Sequence, residues 1–289
     1  MPAIQTILCP IDFSAASRQE LELALEVAQA FDARVVLHHN IPAPPPGLTR
    51  SWEWKEYHQN EKELTNNVVM NLERLLAEIP ANVQHEARIT SGPLMITLDA
   101  VVEALHVDLV VTGSHGWSTP DHSSVSERLI DRCTCPVLAS QELSPAVRHF
   151  RLRPEHSGDR IDVVVASDLT DSSNGALRHA FELTRQFPLH LHLLHVGSEA
   201  LTDPAEARAR LEARVPIDLR SRTEVRVETG RPAAEILATV DRLRPSFLVM
   251  GEHAHGFFRN LFTPDTARQI LHRAQVPVWF VPATWGAEA

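Results

Sequence analysis

One order of motifs occurs twice along this chain, and that repetition constrains the fold more than any single motif does. Pro10-Ile11-Asp12-Phe13-Ser14 closes an apolar run that includes Ile7 and Leu8, and Ala166-Ser167-Asp168-Leu169-Thr170 closes another that includes Val163, Val164 and Val165. Further on, Leu109-Val110-Val111-Thr112-Gly113-Ser114-His115-Gly116 recurs as Leu248-Val249-Met250-Gly251-Glu252-His253-Ala254. Cys135-Pro136-Val137-Leu138 recurs as Val276-Pro277-Val278-Trp279. The length of 289 residues then divides into two copies of one domain, each large enough to bury its own core.

Each copy alternates short β-branched runs with stretches whose apolar residues recur at helical spacing, the pattern of a parallel sheet with crossover helices. The first copy is expected to hold strands at Thr6 to Pro10, Arg34 to Asn40, Val83 to Thr90, Asp108 to Gly113 and Val137 to Ser140. Its first helix is capped by Ser14 or Ser17, with Leu21, Ala24, Leu25 and Ala28 on one face, and the next is expected from about Glu61 to Ile79. The second copy is expected to hold strands at Ile161 to Ser167, His190 to Val196, Glu224 to Thr229, Phe247 to Gly251 and Val278 to Val281. Gly92-Pro93 and Gly230-Arg231-Pro232 mark the same strand-to-helix turn, glycine supplying the bend and proline the first helical turn. The expected architecture is α/β: two tandem doubly wound, Rossmann-like domains, each a five-stranded parallel sheet with helices on both faces.

The copies differ in length between their motifs. Asp12 and Asp168 lie 156 residues apart, whereas Gly92 and Gly230 lie 138 apart. The first copy therefore carries an insertion, placed at Pro42 to Asn60, with four prolines and the aromatics Trp52, Trp54 and Tyr57. It is read as a lid over the first crevice, as a partner surface, or as a loop packed on its own domain. The expected domains are 1–142 and 161–283, with 143–160 as a polar linker lacking periodicity.

Charge and composition exclude several functions. A formal net charge of −10 argues against a nucleic-acid surface, because phosphate neutralisation needs clustered positive charge. Only Lys55 and Lys62 are lysines, and neither follows a glycine-rich loop, which excludes a Walker-type phosphate loop. No apolar run approaches the roughly 20 residues that span a bilayer, and the N-terminus lacks a charged segment followed by a long apolar core, so a cytoplasmic protein with no membrane partner is expected. Cys9, Cys133 and Cys135 are too few and too poorly spaced for a disulfide framework.

In a doubly wound sheet, ligands bind beyond the carboxyl ends of the strands where the winding reverses. If the first strand lies beside the fourth, Asp12 faces the loop from Gly113 to Gly116. A carboxylate there accepts hydrogen bonds from a ribose or base, while glycines let backbone N–H groups approach phosphate oxygens.

The ordered set carries a resemblance. Asp12, Gly92-Pro93, the run from Asp108 to Gly116, Ser124-Val125-Ser126-Glu127 and Cys135-Pro136-Val137-Leu138 make the first half similar to a universal stress protein domain. The second half resembles it through Asp168, Gly230-Arg231-Pro232, the strand reaching Gly251, and Val276-Pro277-Val278. The resemblance implies a cytoplasmic stress-response module that acts by ligand binding or partner contact, with no catalytic residues. Its single-domain members dimerise through their fifth strands, so the apolar runs at Val137-Leu138 and Val278 to Val281 imply an intramolecular pseudo-dimer, with further homodimerisation left open.

ATP-binding members of that family carry Gly-x-x-Gly, nine residues, then Gly-Ser or Gly-Thr. Here six residues separate Gly116 from Ser123-Ser124, and Ser123 stands where the second glycine is expected. In the second half Ala254 replaces a glycine and Pro264-Asp265 replaces Gly-Ser, removing an N–H donor and adding negative charge. The nucleotide site implied by the resemblance is therefore confined to the first copy: Asp12, Ile41, Gly113, Gly116, Ser123 and Ser124, for ATP with magnesium. Asp168, Gly251 and Ala254 mark a degenerate second site. The alternatives are a weak ATPase or nucleotide transferase, for which only Asp121 and His122 offer partners near the γ-phosphate, and a binder of a non-nucleotide metabolite or lipid-like molecule in the second crevice.

Sixteen histidines are many for this length, but His38, His39, His115, His122, His253 and His255 are read as separate loop and strand residues, and no metal site is expected. His38 and His39 alternate to opposite faces of a strand. Cys133-x-Cys135 is read as a helix-to-strand junction, and Ser123, Ser124 and Ser126 as cap residues without a nucleophile elbow.

Overall fold

The computed structural model describes residues 4–42, 51–113, 125–141, 150–154, 156, 159–170, 173–197, 203–252 and 264–286. The chain separates into two compact units, one spanning Ile4–Val111 and one comprising the described residues from Thr112 onward.

The smaller unit follows the expected alternation: β1 (Thr6–Pro10), α1 (Ala15–Phe31), β2 (Arg34–Ile41), α2 (Ser51–Glu78), β3 (His85–Ser91), α3 (Leu94–Ala104) and β4 (Leu109–Gly113), which runs on past its boundary. The strands pair in parallel in the order β3-β2-β1-β4. Registers such as Leu8↔Val36 and Leu8↔Val110 place the first strand between the second and fourth, as a doubly wound sheet requires. Ile7, Leu8 and Cys9 are all fully buried, which is why this strand reads as continuous apolar residues instead of alternating ones. Ser14, not Ser17, is the cap of α1: its hydroxyl accepts the N–H of Ser17, and the helix ends at left-handed Asp32.

The insertion is partly helical. Its prolines are confined to residues 42–46, and from Ser51 onward the run Trp52-Glu53-Trp54-Lys55-Glu56 contains no breaker, so the helix expected at Glu61 begins ten residues earlier and α2 reaches 28 residues. Residues 43–50 lie outside the described residues. Val68, Leu72, Leu75 and Ile79 form the buried stripe along and just beyond this helix.

The larger unit holds α4 (Val125–Arg132), β5 (Val137–Ser140), β6 (Ile161–Ala166), α5 (Asn174–Gln186), β7 (Leu189–Gly197), α6 (Pro204–Glu212), a 3₁₀ helix (Ile217–Arg222), β8 (Thr223–Thr229), α7 (Pro232–Leu243), β9 (Phe247–Glu252), α8 (Pro264–Arg273) and β10 (Val278–Pro282). Strands β10-β9-β6-β7-β8 form a five-stranded parallel sheet. β5 adds to it antiparallel on β10, with Trp279 opposite Leu138 and Phe280 opposite Val137. The turn glycines Gly92 and Gly230 have φ of 132° and 146°, a region closed to side chains.

Phe150 and Leu152, inside the segment expected as a linker, are buried core residues. Phe150 stacks tilted on Phe247 with ring centroids 5.3 Å apart, and Phe247 lies 5.7 Å from Trp279. The backbone is pinned as well, Ser246 Oγ accepting the N–H of Arg151 at 2.7 Å and donating to its carbonyl at 2.8 Å. Among the described residues no helix is long and apolar enough to cross a membrane.

Candidate functional site

Both copies build the turn after their first strand in the same way. In the first, the chain leaves β1, passes Asp12 and takes a left-handed conformation at Phe13, φ 65°, before α1 begins. In the second, Leu169 does the same after Asp168, φ 63°. Bulky side chains rarely occupy this region, so each turn needs outside support. It comes from a histidine on the neighbouring strand. His39 Nδ1 lies 2.7 Å from the carbonyl of Ile11, and His195 Nδ1 lies 2.9 Å from that of Ser167. A carbonyl only accepts, so each imidazole is protonated on Nδ1 and donates.

His39 and His195 are separated by 156 residues, the spacing of the two acids. The repeat alone makes them equivalent, yet no motif includes His195, so reading by motif passes over it. His39 also stacks on Phe13, centroids 4.8 Å apart. His38 points elsewhere, its Nε2 2.8 Å from Thr90 Oγ1, as strand alternation requires. Burial, and secondarily the charge of His39, holds the His38 pKa down to about 4.

The two acids differ. Asp12 is half-buried and its Oδ1 accepts the N–H of Ser14 at 2.9 Å. Burial raises its pKa, but hydrogen bonds from Ser14 and Ser17 outweigh this and hold it below the ordinary carboxylate range. Asp168 is only 5% exposed, and its Oδ1 takes both the N–H and the hydroxyl of Thr170, at 3.0 and 2.6 Å. Arg210 and Arg214 each donate to the carbonyl of Leu169, at 3.3 and 2.9 Å. The His195 pKa is lowered, chiefly by burial and against the hydrogen bond to Ser167 and the charge of Asp168.

Of the remaining predicted residues, Ile41 is buried at the end of β2 and its carbonyl accepts the N–H of Gly92 at 3.1 Å. Gly197 and Gly230 repeat that bond at 3.0 Å. Gly113 ends β4, three residues beyond the Leu8↔Val110 pairing. Its carbonyl accepts the hydroxyl of Ser126, which also contacts Thr112. Ser126 thus ties the first turn of α4 to β4 and is no helix cap. Gly251 is buried in β9, and the Ala166↔Met250 register brings the strand ends bearing Asp168 and Gly251 side by side. Gly116, Ser123, Ser124, Ala254, Asp121 and His122 lie outside the described residues. Two cavities of about 420 and 410 Å³ open on the larger unit, and neither is lined by Asp168.

Comparison with known proteins agrees with the repeated turn. The universal stress protein family matches residues 3–141 and again residues 162–282. A universal stress protein from Archaeoglobus fulgidus DSM 4304 has a similar crystal structure, with a TM-score of 0.69, 20% identity and coverage of 96% of this chain and 97% of that one. A putative universal stress protein from Pseudomonas aeruginosa UCBPP-PA14 gives a TM-score of 0.58 at 16% identity, covering 97% of this chain and 94% of that one. Among curated protein sequences there is no match. Twofold coverage by the family, with the doubly wound order β1 beside β4 and β6 beside β9, means that this chain belongs to the universal stress protein family and carries its domain in tandem.

Proposed function

We propose that the protein is a non-catalytic, cytoplasmic stress-response module in which the first copy binds ATP with magnesium and the second has lost that capacity. The observation that carries this reading is the difference between Asp12 and Asp168. Asp12 is half-buried, with its carboxyl held ionised by Ser14 and Ser17, the state in which a carboxylate accepts hydrogen bonds from ribose hydroxyls or an adenine amino group. Asp168 is turned into its own loop by Thr170 and is almost wholly buried. The loop chemistry supports the same asymmetry, since the first copy keeps Gly116 where the second has Ala254, and the second carries Pro264 where the first has Ser123. Three buried free cysteines support a reducing compartment.

Titration calorimetry of the full chain with ATP and magnesium tests this. One saturable site is expected, weakened about 10- to 100-fold by Asp12→Ala, the loss of a charge-assisted hydrogen bond, and unaffected by Asp168→Ala. No heat at millimolar nucleotide removes the reading. Release of labelled phosphate above blank, abolished by Asp12→Ala, replaces it with the weak ATPase.

A further inference from the structure

At the amino-terminal end of the second sheet, far along the strands from Asp168, polar side chains gather on one face. Asp162 on β6 pairs with His190 on β7, and His192 on β7 pairs with Glu224 on β8. Paired residues of parallel strands point to the same side, as do residues two apart, so all four share a face. The ligand atoms of Asp162, His190 and His192 lie within 4.8 Å of one another. We propose that these three residues, with Glu224 as an outer partner of both imidazoles, bind a divalent cation of the zinc class.

The arrangement is that of a ligand set already oriented. His192 Nε2 is 2.8 Å from Asp162 Oδ1, and His190 Nε2 is 3.2 Å from Glu224 Oε1. The two imidazoles meet edge to face, centroids 5.3 Å apart. Both carboxylates are held from behind: Arg160 Nε donates to Asp162 Oδ2 at 3.1 Å, and Arg226 donates to Glu224 Oε2 at 2.7 Å. Hydrogen bonding of the non-ligating oxygen is how an outer shell orients a metal-binding carboxylate.

Two imidazoles and one carboxylate suit zinc and its neighbours, a water completing the tetrahedron. Arg160 also lies 2.9 Å from Asp162 Oδ1, and Arg226 Nε lies 3.3 Å from His192 Nδ1. Both arginines are partly exposed, with side chains 55% and 30% exposed, so each can shift toward solvent as the cation enters. His192 Nδ1 is then free to donate to Glu224 Oε2, 3.4 Å away, which fixes the tautomer that leaves Nε2 for the metal.

The test uses the full chain without a histidine tag, stripped with chelator and titrated with cobalt(II) followed by visible absorption, then with zinc(II) against a chromophoric chelator. A single ion per chain with a tetrahedral cobalt spectrum is expected. His190→Ala should weaken zinc about 100-fold or more and Glu224→Gln about 10-fold, since disturbing even outer-shell partners costs 10- to 100-fold. His156→Ala, at an exposed histidine outside the cluster, should leave the titration unchanged. Circular dichroism reports that each variant is folded. No stoichiometric uptake, the behaviour of a self-contained ion-pair network, overturns the proposal, and so does uptake that survives in folded His190→Ala.

Discussion

His195 donates through Nδ1 to the backbone carbonyl of Ser167 at 2.9 Å, fastening the strand end that precedes Asp168 to the neighbouring strand. The same bond between His39 and Ile11 precedes Asp12. Replacing His39 with phenylalanine keeps a ring against Phe13 but leaves the Ile11 carbonyl without this donor. His39→Phe should therefore lose about 1 to 3 kcal/mol in urea unfolding, the cost of an unsatisfied buried acceptor. Unchanged stability would show that the bond does not hold the turn.

Gly175 opens α5 against the end of β10. A Cβ at this position would sit 2.5 Å from the carbonyl oxygen of Pro282, a backbone atom that has no rotamer to escape into. Gly175→Ala is expected to destabilise by about 1 to 3 kcal/mol, as overpacking does, despite the gain in helix propensity. Calorimetric unfolding checks it, and a stabilised variant would mean that the two elements separate freely.

His179 is completely buried on Trp279, ring centroids 4.8 Å apart, and burial pushes its pKa down to about 3. Its unfolded value is about 6.5. The folded state refuses a proton that the unfolded state accepts, so stability is full above about pH 6.5 and falls as the pH drops toward 3. The slope from this residue is about 1.4 kcal/mol per pH unit below about pH 6. His179→Leu should flatten it, measured as the difference in urea midpoint between about pH 7 and about pH 5 for the two proteins. Equal pH dependence would place the acid sensitivity in other groups.

Phe150→Ala removes a fully buried ring from between the chain's connecting segment and Phe247. The expected loss is about 3 to 5 kcal/mol, and protease sensitivity around residues 150–154 should rise with it. A variant as stable as the parent would mean that the segment docks without energetic consequence.

Strand positions are legible in the sequence because both copies write buried parallel strands as unbroken apolar runs: Thr6 to Pro10 and Val137 to Ser140 are found where the residues place them. The acids Asp12 and Asp168 are legible for the same reason, each closing such a run. Phe150 is not, because one aromatic in a polar stretch has no period, and only the three-dimensional neighbourhood of Phe247 shows what it fills. The early start of α2 is hidden behind four clustered prolines, whose restriction of the backbone reaches their immediate neighbours and not the residues from Ser51 onward. The grouping of Asp162, His190, His192 and Glu224 depends on the register of three strands that are distant in sequence. Alternation along β7 shows that His190 and His192 share a face, but nothing in the sequence says which carboxylates stand beside them.

The antiparallel seam between β5 and β10 has a consequence for mass action. An edge strand that pairs with another molecule exchanges its partner as the protein is diluted. Here both strands belong to one covalent chain, so the seam closes within the molecule and its occupancy does not depend on protein concentration. The edge of β10 is thereby covered by the chain's own β5, which withholds it from foreign strands.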